Sequence, residues 1–156
     1  MEICYIKTPI GTVKISGDAQ GVSEIIFTEE FQISNQIPEV LQECLTQIEE
    51  YFSKNRTVFT FKINQNGTSF QEKVWQELTN IPLGKTISYL DLAKKLGDPK
   101  VIRAAATANG KNKLLIVVPC HRVIGSDGSL TGYAGELWRK KWLLENENPT
   151  KQESLF

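Results

Sequence analysis

The chain is poor in the residues that build metal centres. Its 156 residues contain one histidine, His121, and three cysteines, Cys4, Cys44 and Cys120, far apart and without C-x-x-C spacing. A zinc site of clustered Cys and His ligands has too few candidates, and three scattered thiols do not make a disulfide framework. No apolar run is long enough to span a bilayer, and the N-terminus lacks the basic-then-apolar pattern of a secretion signal. A cytoplasmic protein with no membrane association is expected. No Gly-x-Gly-x-x-Gly opens a helix after a strand, so neither a metal nor a dinucleotide cofactor is expected.

Net charge is also missing: 18 basic residues balance 18 acidic ones, which argues against a strong nucleic-acid binder. The halves differ, however. Residues 1–67 hold 5 Lys+Arg against 9 Asp+Glu, and residues 68–156 hold 13 against 9. Between Lys100 and Lys141 there are 8 basic residues and 2 acidic ones, Asp127 and Glu136. A polyanionic partner, if there is one, belongs to the second half; an ordinary solvated basic surface is the alternative.

What is present reads as two small domains. Ile3–Ile6, Thr12–Ile15 and Val22–Phe27 are β-branched and aromatic, separated by turn residues, and predict an antiparallel meander. Pro38 opens a helix whose apolar positions Leu41, Cys44/Leu45, Ile48 and Tyr51/Phe52 recur at helical spacing, which makes Cys44 a buried structural thiol. Val58–Ile63 reads as a further strand, and the polar break at Asn64–Gly67 marks a boundary between domains 1–67 and 68–156.

The second half opens on a helix with Ser69 and Glu72 spaced as a capping box and Phe70, Val74/Trp75, Leu78 and Ile81 on its apolar face. Ser88 and Asp91 are spaced as another cap; Leu92, Leu96 and the Gly97 stop follow. Asp98 caps the next helix, with Pro99 at its first position and residues 100–108 in its body. Two short helices joined by a tight turn read as a helix-turn-helix, or as an αα-hairpin with no DNA role. The run Ala104-Ala105-Ala106 suits close packing on a core or close approach to a nucleic-acid groove, and Arg103 directly before it shifts the balance toward the groove. Leu114–Val118 is an apolar run that predicts a buried strand delivering Pro119-Cys120-His121-Arg122. Thr150 to Phe156 reads as a loose tail.

A thiol attacks carbon as the thiolate, so Cys120 needs a base or a positive field. His121 adjoins it, yet neighbouring side chains on a strand diverge, so pairing needs a turn or a bridging water. Glu147 lies three and four residues after Leu144 and Leu143, on the apolar face of the last helix, which starts near Glu136-Leu137. A carboxylate there needs a partner; His121 would complete a Cys–His–Glu relay, while a frayed helix end would leave Glu147 in water.

These residues resemble a known family. Pro-Cys-His-Arg-Val-Ile-Gly, Gly-Tyr-Ala-Gly, Arg139-Lys140 and Leu143-Leu144-x-x-Glu147 are similar to the methylated-DNA–protein-cysteine methyltransferases, as are Ser69-Phe70-Gln71-x-x-Val74-Trp75 and Ile81-Pro82-x-Gly84-x-x-x-Ser88-Tyr89. The ordered set covers nearly all of residues 68–147. The resemblance implies an α/β (α+β) fold. A small N-terminal antiparallel sheet plus helix, ribonuclease H-like, would be followed by a winged helix-turn-helix-like, mostly α domain carrying the active site.

The resemblance also implies single-use transfer of an alkyl group from O6-alkylguanine, or O4-alkylthymine, in double-stranded DNA to Cys120, by a monomer. His121 would take the thiol proton through a water, Glu147 would orient His121, and Tyr89 would donate to the departing base. Arg103 would fill the gap left by the flipped nucleotide. Ala104, Ala105 and Ala106 would face the minor groove, with Asn112 and Arg122 on the DNA side, Asn112 also bracing the turn before the active-site strand. Val123, Tyr133, Ala134 and Gly135 would line the base pocket.

Two departures stand out. The zinc site of two cysteines and two histidines found in some relatives is impossible with one histidine. Glu136 occupies a position where the family commonly has Gly, where it should disturb bulky adducts unless it points away or pairs with Arg139 or Lys140. The competing readings are a damage sensor or helix-turn-helix regulator, which would not need Cys120, and a cysteine hydrolase, which would turn over repeatedly and leave the DNA-binding features unexplained.

Overall fold

The computed structural model describes residues 1–30 and 32–148, so the expected tail at Thr150–Phe156 lies outside the described residues. The chain divides into two compact units, Met1–Gln65 and a second beginning at Asn66.

In the first unit, β1 (Glu2–Thr8), β2 (Gly11–Asp18) and β3 (Gly21–Thr28) form an antiparallel sheet in that order. Register pairs Cys4 with Ile15 and Ile6 with Val13, then Ile15 with Ile25. Alternation therefore sends Cys4, Ile6, Val13, Ile15 and Ile25 to one buried face. Helix α1 (Glu39–Phe52) buries Leu41, Cys44, Gln47, Ile48 and Tyr51, the stripe its spacing predicts. Gly21 adopts φ 131°, and a Cβ there would lie 2.8 Å from the Ile63 backbone, so the turn tolerates no side chain.

The strand expected at Val58–Ile63 does not form; only Ile63 bridges Val22, in parallel. The buried Gln47 carboxamide takes the place of a ladder. Its Oε1 accepts from Thr60 N at 2.8 Å and its Nε2 donates to Thr60 Oγ1 at 2.8 Å, satisfying the segment side-on.

In the second unit, α2 (Ser69–Leu78) buries Val74, Trp75 and Leu78. Its capping box is Thr68 with Gln71, one residue before the expected Ser69–Glu72 pair. A two-residue strand β4 (Ile87–Ser88) leads into α3 (Tyr89–Lys95), where the Ser88–Asp91 capping box is present. Gly97 turns the chain at φ 100°, Asp98 caps a 3-10 turn at Pro99–Val101, and α4 (Ile102–Gly110) follows. The predicted helix at 100–108 thus begins as a 3-10 turn. Trp75 Nε1 donates to Ala108 O at 2.9 Å, fixing α4 against α2.

Leu114–Val118 is buried but is not the expected strand. Val118 N donates back to Leu114 O at 2.9 Å, and Ile116 sits at φ 74°, uncommon for a β-branched residue. Burial alone produces the same apolar run as a core strand. β5 (Val123–Ile124) then pairs in parallel with β4, and α5 (Leu137–Glu147) closes the unit. No helix among the described residues is long and apolar enough to cross a membrane.

Candidate active site

Cys120, His121 and Arg122 occupy a single 3-10 turn. All three are buried, and His121 is 0% exposed. The turn is positioned from both ends. Upstream, Asn112 Nδ2 donates to Val118 O at 2.8 Å and to Leu114 O at 3.4 Å, while its Oδ1 accepts from Leu114 N at 3.0 Å. Downstream, the parallel pairing of Ile87 with Val123 and Ser88 with Ile124 places the start of α3, and hence Tyr89, beside the end of the turn.

His121 Nε2 lies 2.7 Å from Glu147 Oε2. Arg122 grips the same carboxylate with a fork, Nε to Oε1 at 2.8 Å and Nη2 to Oε2 at 3.1 Å, and its Nη1 donates to Ile81 O at 2.7 Å. Glu147 is therefore not a frayed end in water; its side chain is 1% exposed. Burial opposes its charge, but His121 and the Arg122 fork hold it well below the usual carboxylate range. An ionised carboxylate only accepts, so His121 Nε2 carries the hydrogen and Nδ1 presents a lone pair. Burial lowers the His121 pKa against the pull of Glu147. Nδ1 is buried without a hydrogen-bond partner among the described residues. It can accept a proton.

Burial pushes the Cys120 thiol up to about 11, opposed by a hydrogen bond from Asn112 and by the Lys140 charge. Lys140 is 0% exposed, and its Nζ donates to Thr131 O at 3.1 Å and Gly132 O at 3.2 Å. It also lies 5.8 Å from the centre of the Tyr89 ring. Burial brings its pKa down to about 8. Tyr89 Oη donates to Thr131 O at 3.0 Å, and burial raises its pKa. The loop before α5 is thus drawn over the site by both side chains. Tyr133 stands edge-on to His121, ring centres 6.4 Å apart, with its hydroxyl buried.

The fold brings Cys120, His121, Glu147 and Tyr89 together, with Tyr133 beside His121 and Val123 directly after the turn; Gly135 is buried and Ala134 is exposed. Arg103 and Ala104 are exposed on α4 and Ala106 is half-buried. Three expected DNA-side residues turn inward. Ala105 is fully buried, Asn112 spends its amide on the turn before Cys120, and Arg122 is committed to Glu147 and Ile81. Glu136 pairs with Arg139 at 3.0 Å and is largely exposed, pointing away from the buried cluster.

Sequence reasoning missed two polar residues of the site, Lys140 and Asn109. Lys140 precedes Leu143, Leu144 and Glu147 by three, four and seven positions, so the periodicity that marks Glu147 marks it too. Asn109, four residues after the buried Ala105, follows the same logic on α4.

Residues 3–65 match the family described as 6-O-methylguanine DNA methyltransferase, ribonuclease-like domain, and residues 69–149 match its DNA binding domain. The methylated-DNA–protein-cysteine methyltransferase of Methanosarcina mazei is 40% identical over 149 residues, covering 91% of this chain and 94% of the relative. The constitutive enzyme of Bacillus subtilis is 39% identical over 150 residues, covering 90% of each chain. The crystal structure of Mycobacterium tuberculosis O6-methylguanine methyltransferase superposes with a TM-score of 0.84 at 36% identity, over 95% of this chain and 94% of that one. Mycobacterium tuberculosis OGT in complex with DNA gives 0.87 at 36% identity, over 100% and 99%.

Proposed function

The chain belongs to the methylated-DNA–protein-cysteine methyltransferase family, whose work is alkyl-transfer repair of DNA, and from that premise we propose which residues carry the reaction and how. Cys120 is the acceptor. Its Sγ attacks the alkyl carbon on O6 of guanine, the C–O6 bond breaks, and the electron pair leaves with the base. The thiol proton passes to His121 Nδ1, directly or through a water, and Tyr89 Oη donates to the departing base. Glu147 fixes the His121 tautomer, and Arg122 keeps Glu147 ionised and in place. The observation that carries this assignment is the buried 2.7 Å contact of His121 Nε2 with Glu147, which leaves Nδ1 as a base in the same turn as Cys120.

A duplex hides the alkyl group inside the stack, so the nucleotide is flipped into the site; exposed Arg103 fills the gap and Ala104 and Ala106 flank it. O4-alkylthymine presents the same alkyl–oxygen bond and is a second lesion for this site. The base pocket is bounded by Val123, Tyr133, Ala134 and Gly135. All these residues lie on one chain in the second unit, which suits a monomer, and three free thiols suit the reducing cytoplasm.

The test is intact-protein mass after incubation with duplex O6-methylguanine. Addition of one methyl at Cys120, stopping at one equivalent, is the expected result. Continued turnover, or no mass change, would overturn the assignment.

A further inference from the structure

Two Asn-Gly pairs occur in the chain, Asn66-Gly67 and Asn109-Gly110. An asparagine side chain can close a ring onto the backbone nitrogen of the next residue, and glycine, with no Cβ, hinders that closure least. The second pair is locked. It ends α4, and Asn109 is buried with its Nδ2 donating to Cys120 O at 3.4 Å. The first pair opens the second unit in a stretch without helix or strand. Asn66 and Gly67 are both exposed and stand just before Thr68, the cap of α2.

Gly67 N donates to Glu72 Oε2 at 3.2 Å. A carboxylate therefore already holds the hydrogen that this nitrogen must lose before it can attack. A Cβ at position 67 would lie 2.6 Å from both the Trp75 ring and Gln71 Oε1, so no larger residue fits there without moving the ring. Packing thus keeps the least protective follower behind Asn66. The residues after it hold α2 in place. Thr68 and Gln71 form its capping box, and Trp75 Nε1 donates to Ala108 O at 2.9 Å.

We propose that Asn66 is a self-modification site, where Glu72 assists loss of ammonia and gives unreacted protein a chemical lifetime independent of Cys120. Gly67 N attacks Asn66 Cγ while its proton passes to Glu72. The N–Cγ bond forms, the Cγ–Nδ2 bond breaks, and the proton leaves with Nδ2 as ammonia. Water then opens the succinimide at either carbonyl, leaving aspartate or isoaspartate at position 66. Isoaspartate adds one methylene to the main chain directly before Gly67, where the Trp75 ring leaves no room for a displaced backbone. The capped start of α2 therefore loosens with age. This chemistry does not rest on the alkyl-transfer assignment; it retires molecules that have met no lesion.

The full-length protein is incubated without DNA in warm, mildly alkaline buffer and followed by peptide mass and chromatography. Asn66 should gain about 1 Da and split into aspartate and isoaspartate peptides. It should do so well ahead of Asn35 and Asn55, which are exposed but precede Gln36 and Arg56. A change at Asn66 no faster than at those two overturns the proposal. Glu72→Gln keeps an oxygen acceptor without the base and should slow the step severalfold; an equal rate overturns the role of Glu72. Glu72 is exposed, so the variant should fold. The isoaspartate fraction should unfold at lower urea than fresh protein. Asn66→Asp, which has the charge without the methylene, should unfold where fresh protein does. An isoaspartate fraction as stable as fresh protein overturns the lifetime.

Discussion

Arg122 and Glu147 form a forked, buried ion pair, Nε to Oε1 at 2.8 Å and Nη2 to Oε2 at 3.1 Å, that joins the Cys120 turn to the C-terminal end of α5. The helix dipole disfavours a carboxylate there, so the pair with Arg122 and the bond with His121 are what keep Glu147 in place. Removing the guanidinium in Arg122→Ala would strand a buried carboxylate and should cost about 3–5 kcal/mol of stability, read by urea unfolding. DNA affinity should keep its wild-type salt dependence, because Arg122 is not available to phosphate. A slope of log affinity on log salt shallower by about one would place Arg122 on the DNA after all.

Lys140 supplies a positive charge next to a thiol that burial drives up. In Lys140→Met the side chain keeps its length and loses its charge. The Cys120 thiol should then titrate higher, and methyl transfer at neutral pH should slow by about tenfold for each pKa unit gained. The pH profile of Cys120 modification by iodoacetamide measures the titration directly. A profile that does not move would reduce Lys140 to a loop clamp on Thr131 and Gly132. Stability should hold or rise, since a desolvated ammonium is lost.

Much of this site is legible in the chain because its parts are local. Ser88–Asp91, Gly97 and Asp98–Pro99 are signals within a few residues, and each acts where its spacing puts it. Glu147 stands out because a carboxylate on an apolar stripe is a local anomaly. The errors arise where a local pattern has two physical origins. Thr68-x-x-Gln71 and Ser69-x-x-Glu72 overlap, and choosing between them depends on where the backbone first turns helical. Leu114–Val118 is apolar because it is buried, and the Asn112 brackets, not propensity, decide that it coils. Arg122 is basic and adjoins the nucleophile, which suggests DNA; its commitment to Glu147 spans 25 residues of sequence and is invisible without the fold. Gln47 replacing a strand ladder at Thr60 is a similar long-range substitution.

The first unit carries a pH dependence of its own. Burial raises Cys4 to about 11, and burial followed by the nearby Cys4 raises Cys44 to about 12. In the unfolded chain both thiols titrate near about 8.5. Folded-state values above unfolded ones mean stability that is complete below about pH 8.5 and lost as pH rises toward the folded values. Urea midpoints should therefore fall between about pH 8.5 and pH 10. Cys44→Ala should lower stability at neutral pH and make the alkaline decline shallower. A decline of unchanged slope would assign it to other groups.

Glu136 holds φ 78° and ψ 148°, a backbone region that is nearly glycine's alone, and it does so at the entry to α5, next to Gly135. Such strain costs about 1–3 kcal/mol, partly offset by the entropy glycine adds to the unfolded chain. The exposed pair with Arg139 returns little. Glu136→Gly should thus stabilise the protein by about 1 kcal/mol, visible as a higher urea midpoint. The same change removes one partner of Arg139, whose Nη1 also donates to Gly135 O at 3.2 Å and whose guanidinium stacks 4.5 Å over Trp138. Loosening the Arg139 hold on Gly135, which bounds the proposed base pocket, should speed transfer of benzyl groups relative to methyl groups. Equal effects on the two adducts would leave Glu136 as a strained helix entry with no part in selecting the lesion.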